Sequence, residues 1–323
     1  LGSIKGIENE LVVDAGYPLH RISIAGLRGG GIAKLLLAPL QILKALWQTF
    51  KVYRKVKPVM SLGMGGFASG PGGLMAWLLR VPLVVHEQNA VAGFTNKILS
   101  RLAKKVLQAF DSAFSPRNKL HTVGNPVRSS IMGIEEPQTR LKSRQGPLNV
   151  LVVGGSLGAV ALNNVVIEMM GLQEGVVNLW HQTGARNYET VESGFQAAQI
   201  ENVKISAFIS DMAGAFTWAD VVICRSGALT VSELMSAGVT SILVPYPFAV
   251  DDHQTANGMF LVNHDGAIMY QQSALNAQLL LDELTTLQQD RSKLMKMSCA
   301  ARTLAKSDSA KVVSNYCIEV IHD

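Results

Sequence analysis

The chain has 323 residues and a net charge of +5, and 48% of its residues are hydrophobic. This length allows two domains with sizeable cores, and three cysteines without a CxxC or Cys/His cluster argue against a disulfide framework and a zinc site. No apolar run of about 18 residues occurs, which argues against a transmembrane helix. Residues 1–128 carry 17 lysines and arginines against 5 acidic residues, so an anionic partner is expected there.

The first half of the chain alternates between strand and helix patterns, which is typical of parallel sheets covered by helices. Apolar runs bounded by turn residues predict the strands, and apolar residues at helical spacing predict the helices. The predicted order is a strand at 19–26, a helix at 32–57, a strand at 58–63, a helix at 71–80, a strand at 82–87, a helix at 93–104 and a strand at 105–110.

A polar segment divides this half from a second series of the same kind. Residues 134–147 lack apolar periodicity and end in Gly-Pro, which predicts a linker. We predict an α/β fold of two Rossmann-like domains whose parallel sheets face a cleft, at 1–133 and 148–323. Strands of the second series are predicted at 149–155, 176–182, 202–208, 221–224 and 240–247, with helices at 159–170, 228–238 and from 274 onward.

The beginning of the chain departs from this scheme. A doubly wound domain is expected to start with a strand, a glycine-rich turn and a helix. The sequence begins instead at Leu1, in what reads as the exit of a strand. We therefore expect it to be a fragment that lacks these first elements.

The predicted helix at 32–57 combines apolar, aromatic and basic residues. A helix of this composition can lie on an anionic bilayer, and residues 15–86 carry nine basic residues and no acidic one. Its apolar residues can equally face the protein core, and that alternative stays open. Nucleic acid is not expected, because no recognition helix or stacking motif accompanies the charge. The candidate membrane contacts are Leu36, Trp47, Phe50, Lys51 and Arg54.

Two segments of the first half follow predicted strands. The glycines of GMGGFASGPGG (63–73) suit either a pyrophosphate-binding turn or close packing of two elements. In HEQNAVAG (86–93), His86 and Glu87 are candidate acid–base groups, although a histidine at the end of an apolar strand is often a hydrogen-bonded structural residue. Asn89 is a candidate ligand for a sugar hydroxyl, or the cap of the next helix.

GNPVR (124–128) places Arg128 just before the predicted linker. An arginine makes bidentate contacts with diphosphate oxygens, and it forms interdomain salt bridges equally well. Both interpretations stay open.

VLVVGGSLGA (150–159) is an apolar strand followed by a glycine-rich turn and a helix. Such a turn lets the backbone approach a phosphate, and the helix N-terminus adds amides and a partial positive charge. Neither a Walker loop nor the dinucleotide G-x-G-x-x-G is present. Phosphate binding is favoured over a packing turn.

ADVVICRSGALTVSELMSAG (219–238) reads as a buried strand, a turn of small residues and a helix whose first amides can bind an anion. Glu233 lies two turns into that helix, where an acidic side chain commonly holds a ribose hydroxyl. In DDHQTANG (251–258), His253 and Gln254 suit sugar hydroxyls or cap a helix. No DxD triplet occurs, so no metal-held diphosphate and no metal site is expected.

Taken together, GLRGGGIAKLLLAP, GMGGFASGPGG, HEQNAVAGFTNK, GNPVR, GGSLGA and CRSGALTVSELMSAG, in this order, resemble the MurG family of peptidoglycan N-acetylglucosaminyltransferases over nearly the whole chain. The resemblance implies a GT-B fold, UDP-N-acetylglucosamine (UDP-GlcNAc) as donor and no cofactor. It implies undecaprenyl-diphosphate-linked muramyl pentapeptide (lipid I) as acceptor and inverting transfer to the muramyl O4, giving lipid II. It also implies a peripheral protein on the cytoplasmic face of the inner membrane, with cell-wall synthesis proteins as further partners.

The resemblance further implies roles for single residues at the donor site. Gly155, Ser156 and Gly158 would contact the diphosphate, with Arg128 nearby. Ile209 and Met212 would frame the uracil, and Glu233 would take the ribose hydroxyls. Ala228, Leu229 and Thr230 would supply contacts at the helix N-terminus. His253 and Gln254 would meet the GlcNAc, as would Asn89 from the first domain.

Three positions depart from the family pattern. Many members have Gln at Leu157, Tyr at Phe67 and Gln at His253. The N-terminal loop that carries the family's favoured catalytic histidine is expected to be missing, which leaves His86 and Glu87 as fallback candidates. A chain without that loop is expected to be inactive even where donor binding survives.

Three alternatives are compatible with parts of this pattern. They are another GT-B lipid glycosyltransferase, a nicotinamide-dependent oxidoreductase and a non-catalytic, membrane-bound UDP-sugar-binding module. The absence of G-x-G-x-x-G counts against the oxidoreductase.

Overall fold

A computed structural model describes residues 1–4, 6, 8–24, 31–155, 159–172, 175–200 and 203–322, with the side chains of 31–38 left out. The chain divides into two compact units. Unit 1 comprises Leu1–Val123 and Ala310–Asp323, and unit 2 comprises Gly124–Ser309.

The elements alternate between strand and helix through most of the chain. In chain order they are β1 (Gly2–Ser3), α1 (Glu8–Asp14), β2 (Arg21–Ile22), α2 (Gly31–Val56), β3 (Ser61–Gly63), α3 (Gly66–Leu78), β4 (Leu83–Glu87), α4 (Phe94–Leu102), β5 (Lys105–Gln108), β6 (Leu120–Thr122), α5 (Ser129–Met132), α6 (Pro137–Arg140), β7 (Leu148–Val153), α7 (Val160–Leu172), β8 (Val177–Gln182), α8 (Tyr188–Ala197), β9 (Val203–Ser206), α9 (Met212–Trp218), β10 (Val221–Cys224), α10 (Ala228–Ala237), β11 (Thr240–Leu243), α11 (His253–Val262), β12 (Ala267–Met269), α12 (Ala277–Gln289), α13 (Arg291–Thr303) and α14 (Ser309–His322).

Unit 2 is built on a parallel sheet in the order β12-β11-β10-β7-β8-β9. Counted from β7, this is the 3-2-1-4-5-6 order of a doubly wound dinucleotide-binding domain. All four residues of β10 are buried, and side chains of successive strand residues point to opposite faces, so both faces of the sheet are covered. The predicted parallel α/β architecture is confirmed.

Unit 1 contains a parallel sheet in the order β3-β4-β5-β6 and a parallel pair, β1-β2. Helix α14 packs against this sheet, since Val313 and Val320 share an apolar cluster with Val84, Leu107 and Val123. The final helix of the sequence therefore contributes to the core of the first unit.

The domain boundaries differ from the predicted ones in three places. Residues 124–133, predicted in the first domain, belong to unit 2. The segment 134–147, predicted as a linker, belongs to unit 2, where Arg140 is buried and donates to the carbonyl oxygens of Ala219 (3.0 Å) and Gly238 (2.6 Å). Residues 310–323, predicted in the second domain, belong to unit 1 because α14 covers its sheet. The polarity of segment 134–147 predicted a linker, yet its Arg140 and Arg144 side chains donate to carbonyl oxygens at the C-terminal ends of α9 and α10.

The glycine-rich segment at 63–73 is largely helical, which corrects its interpretation as a turn. Helix α3 begins at Gly66 and continues through Pro71. A Cβ on Gly73 would lie 2.7 Å from the Leu99 side chain on α4, so this glycine permits close packing of the two helices. The packing alternative is therefore favoured over a pyrophosphate cradle.

The remaining predicted elements differ from the observed ones in extent, and several observed elements were not predicted. The strand predicted at 19–26 is limited to Arg21–Ile22 among the described residues, and the unpredicted elements include β6, β12, α1, α5, α6, α8 and α9. The long helix with an internal Pro39 is confirmed as α2. Within the described residues, no helix has the length and apolar character needed to cross a membrane.

Candidate functional site

The sheet of unit 2 has a topological switch point between β7 and β10. Strands β8 and β9 extend the sheet on one side of β7, and β10 to β12 extend it on the other. Ligands of open parallel sheets bind beyond the carboxyl ends of the strands at such a point. Residues 154–159 connect β7 to α7 there, and residues 225–227 connect β10 to α10. The predicted phosphate contacts Ser156 and Gly158, together with Leu157, lie outside the described residues.

The turn after β10 presents helix amides that no side chain caps. Gly227 is the N-cap of α10, with extended dihedral angles (φ −63°, ψ 146°), and no side-chain hydrogen bond closes this end. The first N–H groups of a helix have no intrahelical partner, and the helix dipole adds partial positive charge there. Ala228, Leu229 and Thr230 form this first turn, which therefore has the chemistry of an anion site.

Arg128, just before α5, lies against Glu233 on α10. Arg128 Nη2 donates to Glu233 Oε1 at 3.0 Å, and the two side chains are 55% and 21% exposed. Asn125 anchors the segment that carries Arg128, since its Nδ2 donates to Ser232 Oγ on α10 at 3.0 Å. A cation and a carboxylate thus lie beside the anion-binding turn. Asn125 was not singled out by sequence reasoning.

Arg225 has a structural role at the same edge of the sheet. Its Nη1 donates to the carbonyl oxygens of Val244 and Pro245, both at 3.1 Å, and its Nη2 donates to Gln272 Oε1 at 2.6 Å. Burial lowers the pKa of Arg225. Because its donors are used within the fold, Arg225 fixes the segment after β11 beside the turn after β10.

His253 and Gln254 open α11, as the sequence pattern predicted for a helix start. His253 Nδ1 lies 2.6 Å from the Val250 carbonyl oxygen. Since a carbonyl only accepts, Nδ1 carries the proton, and Nε2 is the acceptor in the neutral ring. Gln254 Oε1 accepts the Tyr246 N–H at 2.9 Å, which holds the preceding loop against α11.

The predicted nucleobase segment lies between β9 and α9. Ile209 is buried, Met212 is the first residue of α9, and Asp211 caps this helix by accepting the Gly214 N–H at 2.9 Å. Phe208, which the sequence analysis did not single out, is 70% exposed. The sequence signal that could have identified it is an aromatic residue directly before Ile209, a predicted uracil contact.

The two fallback acid–base candidates are buried in unit 1. His86 lies in β4 with no exposed surface. Glu87 Oε1 accepts from the Asn89 N–H (3.0 Å) and Nδ2 (3.1 Å), and its Oε2 accepts from the Gly93 N–H (3.0 Å) and Asn96 Nδ2 (2.8 Å). Four donors saturate this carboxylate, so Glu87 organises the loop that carries Asn89. Neither residue has the access that a base for an incoming hydroxyl needs.

Cysteine and metal chemistry receives no support among the described residues. No group of three or more potential metal-binding side chains occurs there. Cys224 is buried, and this raises the pKa of its thiol to about 12, so it is protonated at neutral pH. The pKa values of Cys299 and Cys317 are raised as well.

Unit 2 also contains an open cavity of about 410 Å³ away from these residues. Its lining includes Ser236 from the last turn of α10, Arg302 and Thr303 from the end of α13, and Cys299. None of the predicted donor-site residues lines it. This cavity therefore does not mark the predicted donor site.

The chain matches both domains of one glycosyltransferase family. Residues 149–313 match the glycosyltransferase family 28 C-terminal domain, and residues 1–108 match the glycosyltransferase family 28 N-terminal domain. The first match lies in unit 2 and extends four residues beyond it, to Val313 in α14, and the second match lies in unit 1. The GT-B class predicted from the sequence is confirmed.

Curated relatives and a solved structure resemble nearly the whole chain. The UDP-N-acetylglucosamine--N-acetylmuramyl-(pentapeptide) pyrophosphoryl-undecaprenol N-acetylglucosamine transferase of Marinobacter nauticus is 46% identical, covering 99% of this chain and 88% of the relative. The protein of that name from Aeromonas hydrophila is 47% identical, covering 98% and 87%. The crystal structure of Acinetobacter baumannii MurG has a TM-score of 0.84 at 39% identity and covers 98% of this chain and 89% of that one. With both domain matches and this identity along its length, the chain belongs to glycosyltransferase family 28 and, within it, to the MurG family.

Proposed function

We propose that the chain transfers N-acetylglucosamine from UDP-GlcNAc to the muramyl O4 of undecaprenyl-diphosphate-linked muramyl pentapeptide. The observation that carries this proposal is the joint placement, at the switch point of a doubly wound sheet, of the α10 amides and the Arg128–Glu233 pair. A nucleoside diphosphate needs both an anion site and a ribose acceptor. Two curated relatives with the name of this transferase match 98–99% of the chain.

The donor is held mainly by unit 2 in this proposal. The diphosphate binds the first turn of α10 and the loop 154–158, with Arg128 as its cationic partner. Glu233 accepts hydrogen bonds from the ribose hydroxyls, and the segment from Phe208 to Met212 holds the uracil. His253 and Gln254 contact the sugar, where His253 Nε2 accepts a hydrogen bond from a sugar hydroxyl.

The chemistry assigned to the chain is stabilisation of the departing UDP. In an inverting transfer the acceptor hydroxyl attacks the anomeric carbon as the bond to the diphosphate breaks, and negative charge grows on the leaving oxygen. Helix amides and an arginine that are already fixed in place stabilise that charge without reorganising. The burial of His86 and the four donors on Glu87 argue against both as the base, and we assign none.

The lipid acceptor calls for a membrane surface, and α2 offers one. Leu43, Trp47 and Phe50 are exposed on this helix, at the three- and four-residue spacing of one face. Lys51 lies beside them, its Nζ 3.5 Å from the centre of the Trp47 ring. We propose that this face and Arg54 bind the anionic cytoplasmic face of the inner membrane, so that the enzyme is peripheral. The side chain of Leu36 lies outside the described part of α2.

Calorimetric titration with UDP-GlcNAc, UDP-GalNAc, UDP-glucose and NADH tests the donor assignment. Tighter binding of UDP-GlcNAc than of the other three is expected. A folded chain that binds only NADH would contradict the transferase. Transfer of radiolabelled GlcNAc from UDP-GlcNAc to a lipid I analogue in vesicles tests the acceptor, with a diacylglycerol acceptor as the alternative substrate.

A further inference from the structure

Gln182 joins three strand ends at the switch-point edge of unit 2. It is the last residue of β8 and is 4% exposed. Its Oε1 accepts the Gly155 N–H at 3.2 Å, and its Nε2 donates to the carbonyl oxygens of Gly155 (3.3 Å) and Ala207 (3.4 Å). The Gln182 carbonyl also accepts the Gly154 N–H at 3.0 Å. One residue thus holds the loop after β7 and the segment after β9.

The chemistry of a primary amide suits this position. The side chain pairs with both the N–H and the C=O of Gly155, and its second N–H reaches Ala207, which takes one acceptor and two donors. A carboxylate has no donor, and an apolar side chain has neither group. Gly155 has a φ of 78°, in the left-handed region that favours glycine, so the backbone at this residue depends on both the glycine and the Gln182 side chain.

The two segments that Gln182 connects serve opposite ends of the donor in the proposed function. Gly155 begins the glycine-rich loop assigned to the diphosphate, and Ala207 precedes Phe208 and Ile209, which are assigned to the uracil. We propose that Gln182 is a positioning residue: it sets the distance between the phosphate-binding loop and the nucleobase segment, so that a uridine diphosphate engages both at once. This inference rests on the proposed function.

Gln182→Met tests it with little change in side-chain volume. Because it removes the hydrogen bonds to both segments, we expect the Kd for UDP to rise about tenfold. Uridine, which lacks the phosphates, is expected to bind within about twofold of its wild-type affinity, since only one of the two segments contacts it. A purely structural defect would weaken both ligands in proportion.

Gln182→Glu tests the acceptor of the Gln182 side chain separately from its two donors. It retains an acceptor for the Gly155 N–H, loses both donors and places a negative charge beside the diphosphate loop. We expect it to weaken UDP binding more than Gln182→Met does, because its carboxylate meets two carbonyl oxygens and an anionic ligand. Equal affinities for UDP in wild type and both variants would overturn the inference.

Ser206→Ala is the matched control, because it removes one hydrogen bond next to Ala207 without touching the Gln182 amide. The bond it loses joins Trp180 Nε1 to Ser206 Oγ at 3.1 Å. UDP affinity is expected to stay within about twofold. A loss in Ser206→Ala as large as in Gln182→Met would assign the effect to general loosening of this edge and overturn the inference.

Hydrogen exchange tests the positioning role of Gln182, and titration of the wild type with UDP-GlcNAc tests the proposed function separately. Faster exchange in Gln182→Met is expected in peptides covering 150–160 and 204–212, with no change over 221–243. Unchanged exchange in both peptides would overturn the inference while UDP-GlcNAc binding by wild type still supports the proposed function. If wild type does not bind UDP-GlcNAc, the proposed function fails, and the inference fails with it.

Discussion

Glu233 and Arg128 form an ion pair that a ligand can replace at small cost. Both side chains are partly exposed, and such pairs contribute at most about 1 kcal/mol to stability. A nucleoside diphosphate offers each partner a substitute, ribose hydroxyls for the carboxylate and phosphate oxygens for the guanidinium. The pair therefore keeps both side chains in place before the donor arrives, and substitutions there are expected to affect binding more than folding.

Glu233→Gln is predicted to weaken UDP binding about tenfold, because the hydrogen bonds from the ribose hydroxyls lose their charged acceptor. Its effect on the free energy of unfolding should be below about 1 kcal/mol. Titration with UDP and 2′-deoxy-UDP is the measurement, and the variant should discriminate less between the two than wild type. Discrimination equal to that of wild type would refute a contact with the 2′-hydroxyl.

Glu136→Gln provides the matched control for this substitution. Glu136 also lies in unit 2 and pairs with an arginine, Arg302, at 3.1 Å, but it lines the separate cavity. Its replacement should leave UDP affinity unchanged. A comparable loss in both variants would point to the net charge of unit 2 as the cause.

His181 is predicted to make unit 2 sensitive to acid. It has no exposed surface, its Nε2 lies 3.0 Å from Asn163 Oδ1, and burial lowers its pKa from 6.5 to about 4. The unfolded state binds a proton more readily, so stability is complete above pH 6.5 and is lost as the pH falls towards 4. This shift corresponds to about 3 kcal/mol.

Urea unfolding between pH 7.5 and 4 measures this effect. His181→Gln, which keeps a neutral hydrogen-bonding side chain, should lose about 3 kcal/mol less than wild type over this range. His264→Gln is the control, since His264 is exposed and lies just after α11, where its Nδ1 is 2.7 Å from the Phe260 carbonyl oxygen. Parallel pH profiles for wild type and His181→Gln would contradict the prediction.

Residues with a recognisable neighbourhood could be placed from the sequence, and others could not. Glu233 lies in a motif that predicted a helix, and Arg128 lies in a motif just before the predicted linker; the structure brings the two side chains together. Gln182 has no such signal, because a glutamine at a strand end reveals nothing about which distant loops it reaches. Glu87 was misjudged for a related reason, since its four donors come from a loop whose path depends on the tertiary fold.

Among the elements, α2 connects the basic character of the first unit to a lipid acceptor. Its buried residues, such as Ala45 and Tyr53, face the protein, while Trp47 is 58% exposed on another part of the helix. The core alternative and the membrane alternative thus describe two faces of one helix. Apolar periodicity identified the helix, but it could not say which apolar residues its neighbours cover.

Leu43→Gln combined with Trp47→Ala is predicted to reduce binding to vesicles that contain anionic lipid by about tenfold, because less apolar surface enters the interface. Lys51→Gln and Arg54→Gln should each reduce it by about fivefold at low salt and less at high salt. Vesicle co-sedimentation at two salt concentrations measures both effects.

Phe248→Ser serves as the control for vesicle binding. Phe248 is 80% exposed, but it belongs to unit 2. Loss of an exposed aromatic residue there should leave co-sedimentation unchanged. If Phe248→Ser lowers binding as much as the α2 variants do, the membrane contact is not specific to α2.

At the scale of the whole molecule, the chain returns to its first unit after completing the second. The alternation of strands and helices was enough to predict two parallel-sheet domains, because it is a local property. The return of α14 was not predictable in this way, since an amphipathic helix can cover either sheet. Besides the apolar contacts of α14, Tyr316 stacks on His121 with ring centres 4.5 Å apart, and Glu319 pairs with Lys105 at 2.6 Å.

Val320→Asp is predicted to destabilise unit 1 by more than about 3 kcal/mol, because Val320 is 1% exposed and a carboxylate there would be buried among apolar side chains. Ile321→Asp, one residue further and 40% exposed, should cost less than about 1 kcal/mol. Hydrogen exchange is the measurement: in Val320→Asp, peptides from β4 and β5 should exchange faster, while those from β7 and β10 keep their protection. UDP, whose proposed contacts lie in unit 2, should still bind to this variant. If both sheets lose protection together, the two units unfold as one, and the last helix supports the whole molecule rather than its first unit.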